Sequence, residues 1–402
     1  MPYRFLQSKC FPVLISTWLA LGCGQDEEVP PPPRCPTASQ ADIADVHAAY
    51  EIWKEDLVTS EGAGGFRRVR RPDTPDGVPN STVSEGIAYG MILAAYLDDQ
   101  ALFDDLWQYS QLWLDHRGLM YWYIDPEGTT VCPERTDGCG AATDSDEDIA
   151  WALIVAHYRW GQSPVLDTPY LDLAKQQIEL VFEHEVDPQG NVLRPGDSFG
   201  GFGKTNPSYF APAYYRVFGE ITGNVDGWNA VIDSSYQVIE NSLDEKYGNA
   251  DNGLVPAWCE FRGAPAPPVK HFQYDSIRTP FRIGQDYCWN GEPRAKAYLD
   301  KVNAFFGAIG PDQIVDGYDL DGTPRPDEHS AEPMKSAVFT GCTGVGAMAD
   351  GARQAFVDRS YERLLGHDLN TRSRYYQRSW TVLSLLMMTG RFVDPTRFPL
   401  ED

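Results

Sequence analysis

Histidine is scarce in this chain of 402 residues: there are seven, and none stands in an H-E-x-x-H arrangement. The cysteines show no zinc-ligand spacing either, so zinc chemistry has no support in the sequence, and no metal or cofactor is expected. Basic residues are few beside the acids, 33 Lys and Arg against 58 Asp and Glu, for a formal net charge of −25. That balance excludes nucleic acid and anionic membrane surfaces as expected partners and leaves a neutral substrate compatible. The apolar run from Phe11 to Leu21 is too short for an ordinary membrane span. No fixed-period repeat is present, which sets aside a helical solenoid. Strand signals are few and short. After Ala38 no second Pro/Gly-rich linker divides the chain, so one large domain is expected over residues 39–402.

The N-terminus has its own character. Arg4 and Lys9 precede the apolar run, and Gly22 and Cys23 follow it. This is the pattern of a secretory signal over residues 1–23. LALGC also resembles a bacterial lipobox, with Cys23 as the lipid-bearing residue and Ala20 where Leu is commonest; the alternative is plain signal cleavage and release. Residues 24–38 carry acids and a four-proline run, an extended spacer without a core of its own. The expected location is therefore the cell envelope or outside the cell, and the only expected membrane contact is a lipid on Cys23. Six cysteines remain in the exported part: Cys35, Cys132, Cys139, Cys259, Cys288 and Cys342. Disulfides are plausible in that compartment; Cys132 and Cys139 are spaced to close a short loop, and several pairings stay open for the rest. Nothing indicates an oligomer, so a monomer is the default.

Apolar residues recur at intervals of three and four along most of the chain. The pattern predicts helices near 40–58, 83–97, 101–115, 146–160, 169–184, 209–220, 226–243, 274–290, 294–307, 334–350, 352–365 and 374–389. Twelve helices in sequence suggest six hairpins closed into a double ring, the (α/α)6 barrel. Four long connections, 116–141, 185–208, 251–273 and 309–333, are rich in aromatics and glycine, and function often sits on such loops.

One stretch calls for explanation: AATDSDEDIAWALIVA, residues 141–156, places Asp144, Asp146, Glu147 and Asp148 directly before a buried-looking apolar run. Acids suit the first turn of a helix, and Thr143 or Asp144 is placed to cap it. A calcium loop of the EF-hand type is rejected, because Ile149 and Val155 stand where Gly and Glu are required. The third reading is that some of these carboxylates face a substrate. Two more acids share the setting: Glu85 in NSTVSEGIAYGMILAAYL and Asp275 in HFQYDSIRTPFRIGQDYCW, each at an expected helix start and flanked by aromatics and glycine.

Together these segments resemble glycoside hydrolase family 8. The family signature runs Ala, Ser/Thr, Asp, Ala/Gly, Asp, two free positions, then Ile/Met-Ala and an apolar helix ending at an aromatic. Here it reads Ala142, Thr143, Asp144, Ser145, Asp146, then Ile149, Ala150 and on to Trp160, with Ser145 departing from the expected Ala/Gly. VSEGIAYGM, YDSIRTPFR and RYYQRSWTVLSLLMMTGRF are similar to three further family segments, and the resemblance spans about residues 40–395. It implies an (α/α)6 barrel and inverting hydrolysis of β-1,4-linked polysaccharide. It also implies Glu85 as general acid, Asp275 as general base and Asp144 as a group binding the sugar beside the cleaved bond. Asp275 at this position implies the endoglucanase and xylanase branch rather than the chitosanase one.

Inversion needs one carboxyl that keeps its proton and one that is ionised, standing roughly 6.5–9.5 Å apart to admit a water. A helix N-terminus favours ionised Asp275 and works against protonated Glu85, so the negative charge of Asp144 is expected to raise Glu85. Asp144, with Asp146, is expected to face the cleft, while Glu147 and Asp148 cap or solvate the helix start. Sugar rings stack on aromatic faces: Trp122, Tyr209, Tyr274 and Tyr376 are the candidate platforms, and Phe199 stands where relatives often carry Trp. Arg278 is placed one turn beyond Asp275 to orient it. The expected activity is endo-cleavage of β-1,4-linked glucan. The alternatives are a xylanase or reducing-end exo-oligoxylanase on the same scaffold, a non-catalytic glycan-binding lipoprotein, and a metal-dependent hydrolase, the last disfavoured by the missing ligand set.

Overall fold

The computed structural model describes residues 35, 37–74, 77–131, 139–326, 331–366 and 373–401. The expected signal segment, Cys23 and Cys132 lie outside them. Twelve α-helices follow one another: α1 (Ile43–Leu57), α2 (Ser84–Tyr96), α3 (Gln100–Gln111), α4 (Thr143–Trp160), α5 (Tyr170–Glu185), α6 (Pro212–Thr222), α7 (Val225–Ser242), α8 (Arg278–Asn290), α9 (Pro293–Ile309), α10 (Ala337–Ala347), α11 (Gln354–Leu365) and α12 (Arg374–Met388). Three two-stranded antiparallel ribbons decorate the connections: β1 (Val58–Thr59) with β2 (Arg68–Val69), β3 (Thr82–Val83) with β4 (Tyr123–Ile124), and β5 (Val186–Asp187) with β6 (Val192–Leu193).

The helices form an (α/α)6 barrel, and burial separates its two rings. The odd-numbered helices are amphipathic. In α1 the buried residues are Val46, Tyr50, Trp53 and Leu57, the spacing of a single inward stripe. The even-numbered helices are buried nearly all round; in α2 every residue but Glu85 is buried. Small residues let this inner ring close. A Cβ at Gly341 of α10 would meet Ser384 Oγ of α12 at 2.3 Å, so α12 approaches at glycine distance. Between α4 and α6 the ring is joined by Trp151 stacked on Tyr214, centroids 4.3 Å apart and planes 3° from parallel.

Because successive helices alternate in direction, all six inner helices start at one rim. The chain reaches them through long connections, residues 58–83, 112–142, 186–211, 243–277 and 310–336, whereas the opposite rim is closed by short turns such as 223–224 and 291–292. Acids placed at inner-helix starts are thereby brought to a common face.

The spacer ends earlier than the composition suggested. Cys35 and Ala38 are buried, Ala38 N donates to Met388 O at 3.0 Å, and Cys35 is disulfide-bonded to Cys288 on α8. A link across 253 residues restricts the unfolded chain strongly, an effect of about 2–5 kcal/mol. Cys139 is also disulfide-bonded, while Cys259 and Cys342 are buried thiols.

Candidate active site

One guanidinium organises the rim. Arg278, the first residue of α8, is fully buried and meets carboxylates from three separate chain segments. Its Nη1 lies 2.7 Å from Asp144 Oδ2 and 3.5 Å from Glu85 Oε2, and its Nη2 lies 3.5 Å from Asp275 Oδ1. Further bonds go from Nη1 to Tyr89 Oη at 3.2 Å and from Nη2 to Ser208 Oγ at 3.0 Å. The Tyr209 ring lies against the guanidinium at 4.9 Å. Each of the two carboxylates lies 3.5 Å from one planar fork, so Glu85 and Asp275 border the same small space.

Local structure sets each acid. Glu85 is the second residue of α2, directly after β3; Ser84 N donates to Trp122 O at 3.0 Å, which ties this helix start to the β4 side. Asp144 is the second residue of α4. The N-cap of α4 is Ala142, which has no side-chain cap bond, so neither Thr143 nor Asp144 is the cap. Instead Asp144 turns to Arg278. Ser145, the departure from the family signature, accepts a 2.8 Å bond from Ser84 Oγ and so joins the starts of α2 and α4. Asp275 lies in a turn three residues before α8, where Gln273 Nε2 donates to its Oδ2 at 3.1 Å.

The three carboxyls differ in exposure: 3% for the Asp144 side chain, 21% for Glu85 and 33% for Asp275. Burial pushes Glu85 up to about 7. Arg278 and the Tyr375 hydroxyl, which donates to Glu85 Oε1 at 2.7 Å, pull it down, while Asp144 and Asp275 push it up. The expected effect of Asp144 is present, but loss of solvent is the larger cause. Asp275 corrects the helix-terminus expectation. Burial raises it as well, with the charge of Asp144 in the same direction and Arg278 and the bonds from Gln273 and Trp258 opposing; it precedes the helix and does not sit on the helix N-terminus.

The other acids of the 144–148 run are fully buried, which overturns the expectation that Glu147 and Asp148 cap or solvate the helix start. Asp148 makes a two-pronged pair with Arg282, 2.7 Å on each side. Glu147 accepts from Tyr215 Oη at 2.8 Å. Asp146, expected to face the cleft, turns to α5: it accepts from Gln177 Nε2 at 3.1 Å and lies near the Glu185 carboxyl, which its charge raises. Neither Asp146, Glu147 nor Glu185 has an arginine or lysine at ion-pair distance among the described residues, and burial raises all three well above the carboxylate range.

Of the expected aromatic platforms, Trp122, Tyr209 and Tyr274 are half-buried around this group. Tyr274 Oη donates to Asp316 Oδ2 at 3.1 Å, and its ring packs edge-on to Phe339 and Tyr376. Tyr376 is buried and donates to Tyr274 O at 3.2 Å. Phe199 is half-buried beside Gly196 and Ala141. Two neighbours of the acids escaped the sequence reading. Tyr375 holds Glu85, and its only signal was its place beside Tyr376. Trp258, half-buried, is hydrogen-bonded to Asp275 and meets Tyr209 edge-on at 6.3 Å; a loop residue without periodic context carries no such signal. A cavity of about 850 Å³ between α7 and α9, lined by Tyr236, Glu240, Arg294, Tyr298 and Lys301, shares no residue with this group.

Comparison with known proteins agrees with the geometry. The family model described as glycosyl hydrolases family 8 matches residues 35–390. Endoglucanase A of Acetivibrio thermocellus is 38% identical over 382 residues, covering 94% of this chain and 76% of that protein. Endoglucanase 2 of Ruminiclostridium josui is 39% identical over 344 residues, covering 85% and 70%. The apo structure of a beta-1,3-1,4-glucanase from Paenibacillus sp. X4 superposes with a TM-score of 0.75 at 27% identity, covering 90% of this chain and 98% of that one. The chain belongs to glycosyl hydrolase family 8 and is a glycoside hydrolase.

Proposed function

We propose that this family 8 glycoside hydrolase cleaves β-1,4-linked glucan internally and with inversion. Glu85 is the general acid, Asp275 the general base, and Asp144 binds and helps distort the sugar beside the cleaved bond. The observation that carries the reading is the Arg278 cluster: three carboxylates from distant segments share one buried guanidinium, and the two assigned to proton transfer keep solvent-facing surface.

The chemistry follows from the environments. Glu85, raised to about 7, holds its proton near neutrality and gives it to the departing glycosidic oxygen. Asp275 keeps the larger solvent face, so its charged form is the less penalised of the two, and it takes a proton from the attacking water. Arg278 stabilises negative charge on Asp144 and Asp275. Trp122, Tyr209, Tyr274 and Trp258 supply ring faces and edges to the sugar chain. Similarity to proteins named endoglucanase supports glucan as the substrate. Export with Cys23 as a lipidated N-terminus belongs to the same proposal, and metabolic lipid labelling of the mature chain tests it.

A substrate panel tests the activity: carboxymethylcellulose, mixed-linkage glucan, xylan, xylo-oligosaccharides and chitosan, with wild type and Glu85→Gln. The expected result is a rapid fall in viscosity of the glucans with wild type and loss of that fall in the variant. Release of xylose from xylo-oligosaccharide ends with intact glucans would overturn the substrate. Full activity of Glu85→Gln would overturn the acid.

A further inference from the structure

Asp148 stands four positions after Asp144 on α4, and Arg282 four positions after Arg278 on α8, so each pair shares a helix face one turn apart. The two aspartates meet the two arginines in register: Asp144 with Arg278, and one turn deeper Asp148 with Arg282. The deeper rung is the more complete. Arg282 Nη1 and Nη2 each lie 2.7 Å from an oxygen of Asp148, both side chains are fully buried, and the guanidinium lies 5.4 Å over the Tyr214 ring. Arg278 in the upper rung has one short bond to Asp144 and is otherwise divided among Glu85, Asp275, Tyr89 and Ser208. A cation with three carboxylates in reach has several nearly equivalent positions, and something must select one.

We propose that the Arg282–Asp148 pair is a positioning pair: by saturating the lower rung it keeps Asp144 for Arg278 and thereby fixes how closely the Arg278 guanidinium approaches Glu85. The inference rests on Glu85 as the general acid. The charged and titratable groups facing Glu85 are Arg278 from α8, Asp144 from α4, Asp275 from the preceding turn, Tyr89 on its own helix, Tyr209 from the turn before α6, and Tyr375 and Tyr376 from α12. Those facing Arg282 are Asp148 and Glu147 from α4, Tyr214 and Tyr215 from α6 and Cys342 from α10.

Removing either partner of the lower rung disturbs the upper one in opposite senses. In Asp148→Asn, Arg282 is a buried cation without a counter-charge and is drawn to Asp144. Arg278 then yields Asp144 and closes on Glu85, which makes Glu85 more acidic. In Arg282→Met, Asp148 competes with Asp144 for Arg278 and draws it down, which makes Glu85 less acidic.

The test is the pH profile of kcat/KM on a soluble β-1,4-glucan for wild type, Asp148→Asn, Arg282→Met and the double variant. The alkaline limb is expected to move down by about half a pH unit or more in Asp148→Asn and up by a similar amount in Arg282→Met, and to return close to wild type in the double variant. In each single variant kcat falls about tenfold with KM within about twofold, the mark of a transition-state effect. A pair that merely stabilised the barrel would lower the melting temperature and leave the limb in place; unmoved limbs, or limbs moving the same way, overturn the proposal. Should a single variant not fold, Arg282→Lys keeps the charge and loses the two-pronged fork; a limb shift in the direction of Arg282→Met supports the proposal, and an unshifted limb overturns it. Glu85→Gln in the same assay separates the two levels: if it is active the acid assignment itself fails, and if it is inactive while the limbs stay fixed only the positioning role fails.

Discussion

Two groups of carboxyls begin at the same turn of α4 and are used in opposite ways. Asp144, with Glu85 and Asp275, surrounds a buried arginine and borders solvent. Asp146, two residues on, faces Glu185 across the α4–α5 contact, buried and with no cation at ion-pair distance among the described residues. In the first group the Arg278 guanidinium opposes the cost of lost water; in the second nothing at ion-pair distance among the described residues does, and burial favours the protonated forms, since an uncompensated carboxylate in a dry interior is the costlier state. An acidic run therefore has no single meaning, and the partner across the barrel decides each residue's role.

Removing one carboxyl from each group gives the largest contrast. Glu85→Gln is expected to lower kcat by about 10²–10⁴-fold, whereas Glu185→Gln should leave kcat within about threefold. Initial rates on a soluble glucan at pH 6 measure both. Comparable losses in the two variants would erase the distinction.

Ionisation sharpens it further. Asp144→Asn removes a negative neighbour of Glu85 and frees Arg278 to approach it, and both changes favour the carboxylate. If Glu85 is the acid, the alkaline limb of kcat/KM follows its ionisation and should move to lower pH. An unchanged limb would mean that Asp144 does not couple to the acid.

The second group should register in stability. A carboxyl whose folded pKa is raised binds its proton more tightly in the native state than in the unfolded chain. Its contribution is complete below the unfolded value, about 4, and is lost as the pH rises through the folded value. Asp146, Glu147 and Glu185 all have raised values, so the melting temperature should fall from mildly acidic to alkaline pH. Glu185→Gln, which retains a hydrogen-bonding amide without the charge, should flatten that slope. An equally steep slope in the variant would place the pH dependence elsewhere.

The smallest expected effect concerns the joint between α2 and α4. Ser145→Ala removes the bond from Ser84 that couples the two helix starts and should cost about 1 kcal/mol of stability, with kcat reduced a few-fold at most. Thermal unfolding and steady-state kinetics on the same preparation separate the two.

The barrel was legible because its signal is local. The stripe Val46, Tyr50, Trp53, Leu57 announces α1, and the same period marks each outer helix. The inner helices, buried all round, were legible by their apolar length. Their alternation in direction is what brings Glu85, Asp144 and Asp275 to one rim. What stayed hidden depends on contacts between distant segments. Nothing near Asp146 announces Glu185, and nothing in the loop around Trp258 announces Asp275. Helix α8 was expected from 274 and starts at 278, because residues 274–277 form a turn in which Tyr274 is held by Asp316 and Ser276 Oγ accepts from Gln273 N at 3.3 Å. The neighbour Arg278, expected to orient Asp275, makes its shortest carboxylate contact with Asp144 instead.

The central claim is that Glu85 and Asp275 act across a water-sized gap as acid and base. The anomeric form of the first product tests it most directly. Proton NMR of wild-type enzyme acting on a β-1,4-linked oligoglucoside, recorded before mutarotation, should show the new reducing end as the α-anomer. Initial release of the β-anomer would contradict the account, because retention requires a covalent intermediate and two carboxyls about 5–5.5 Å apart.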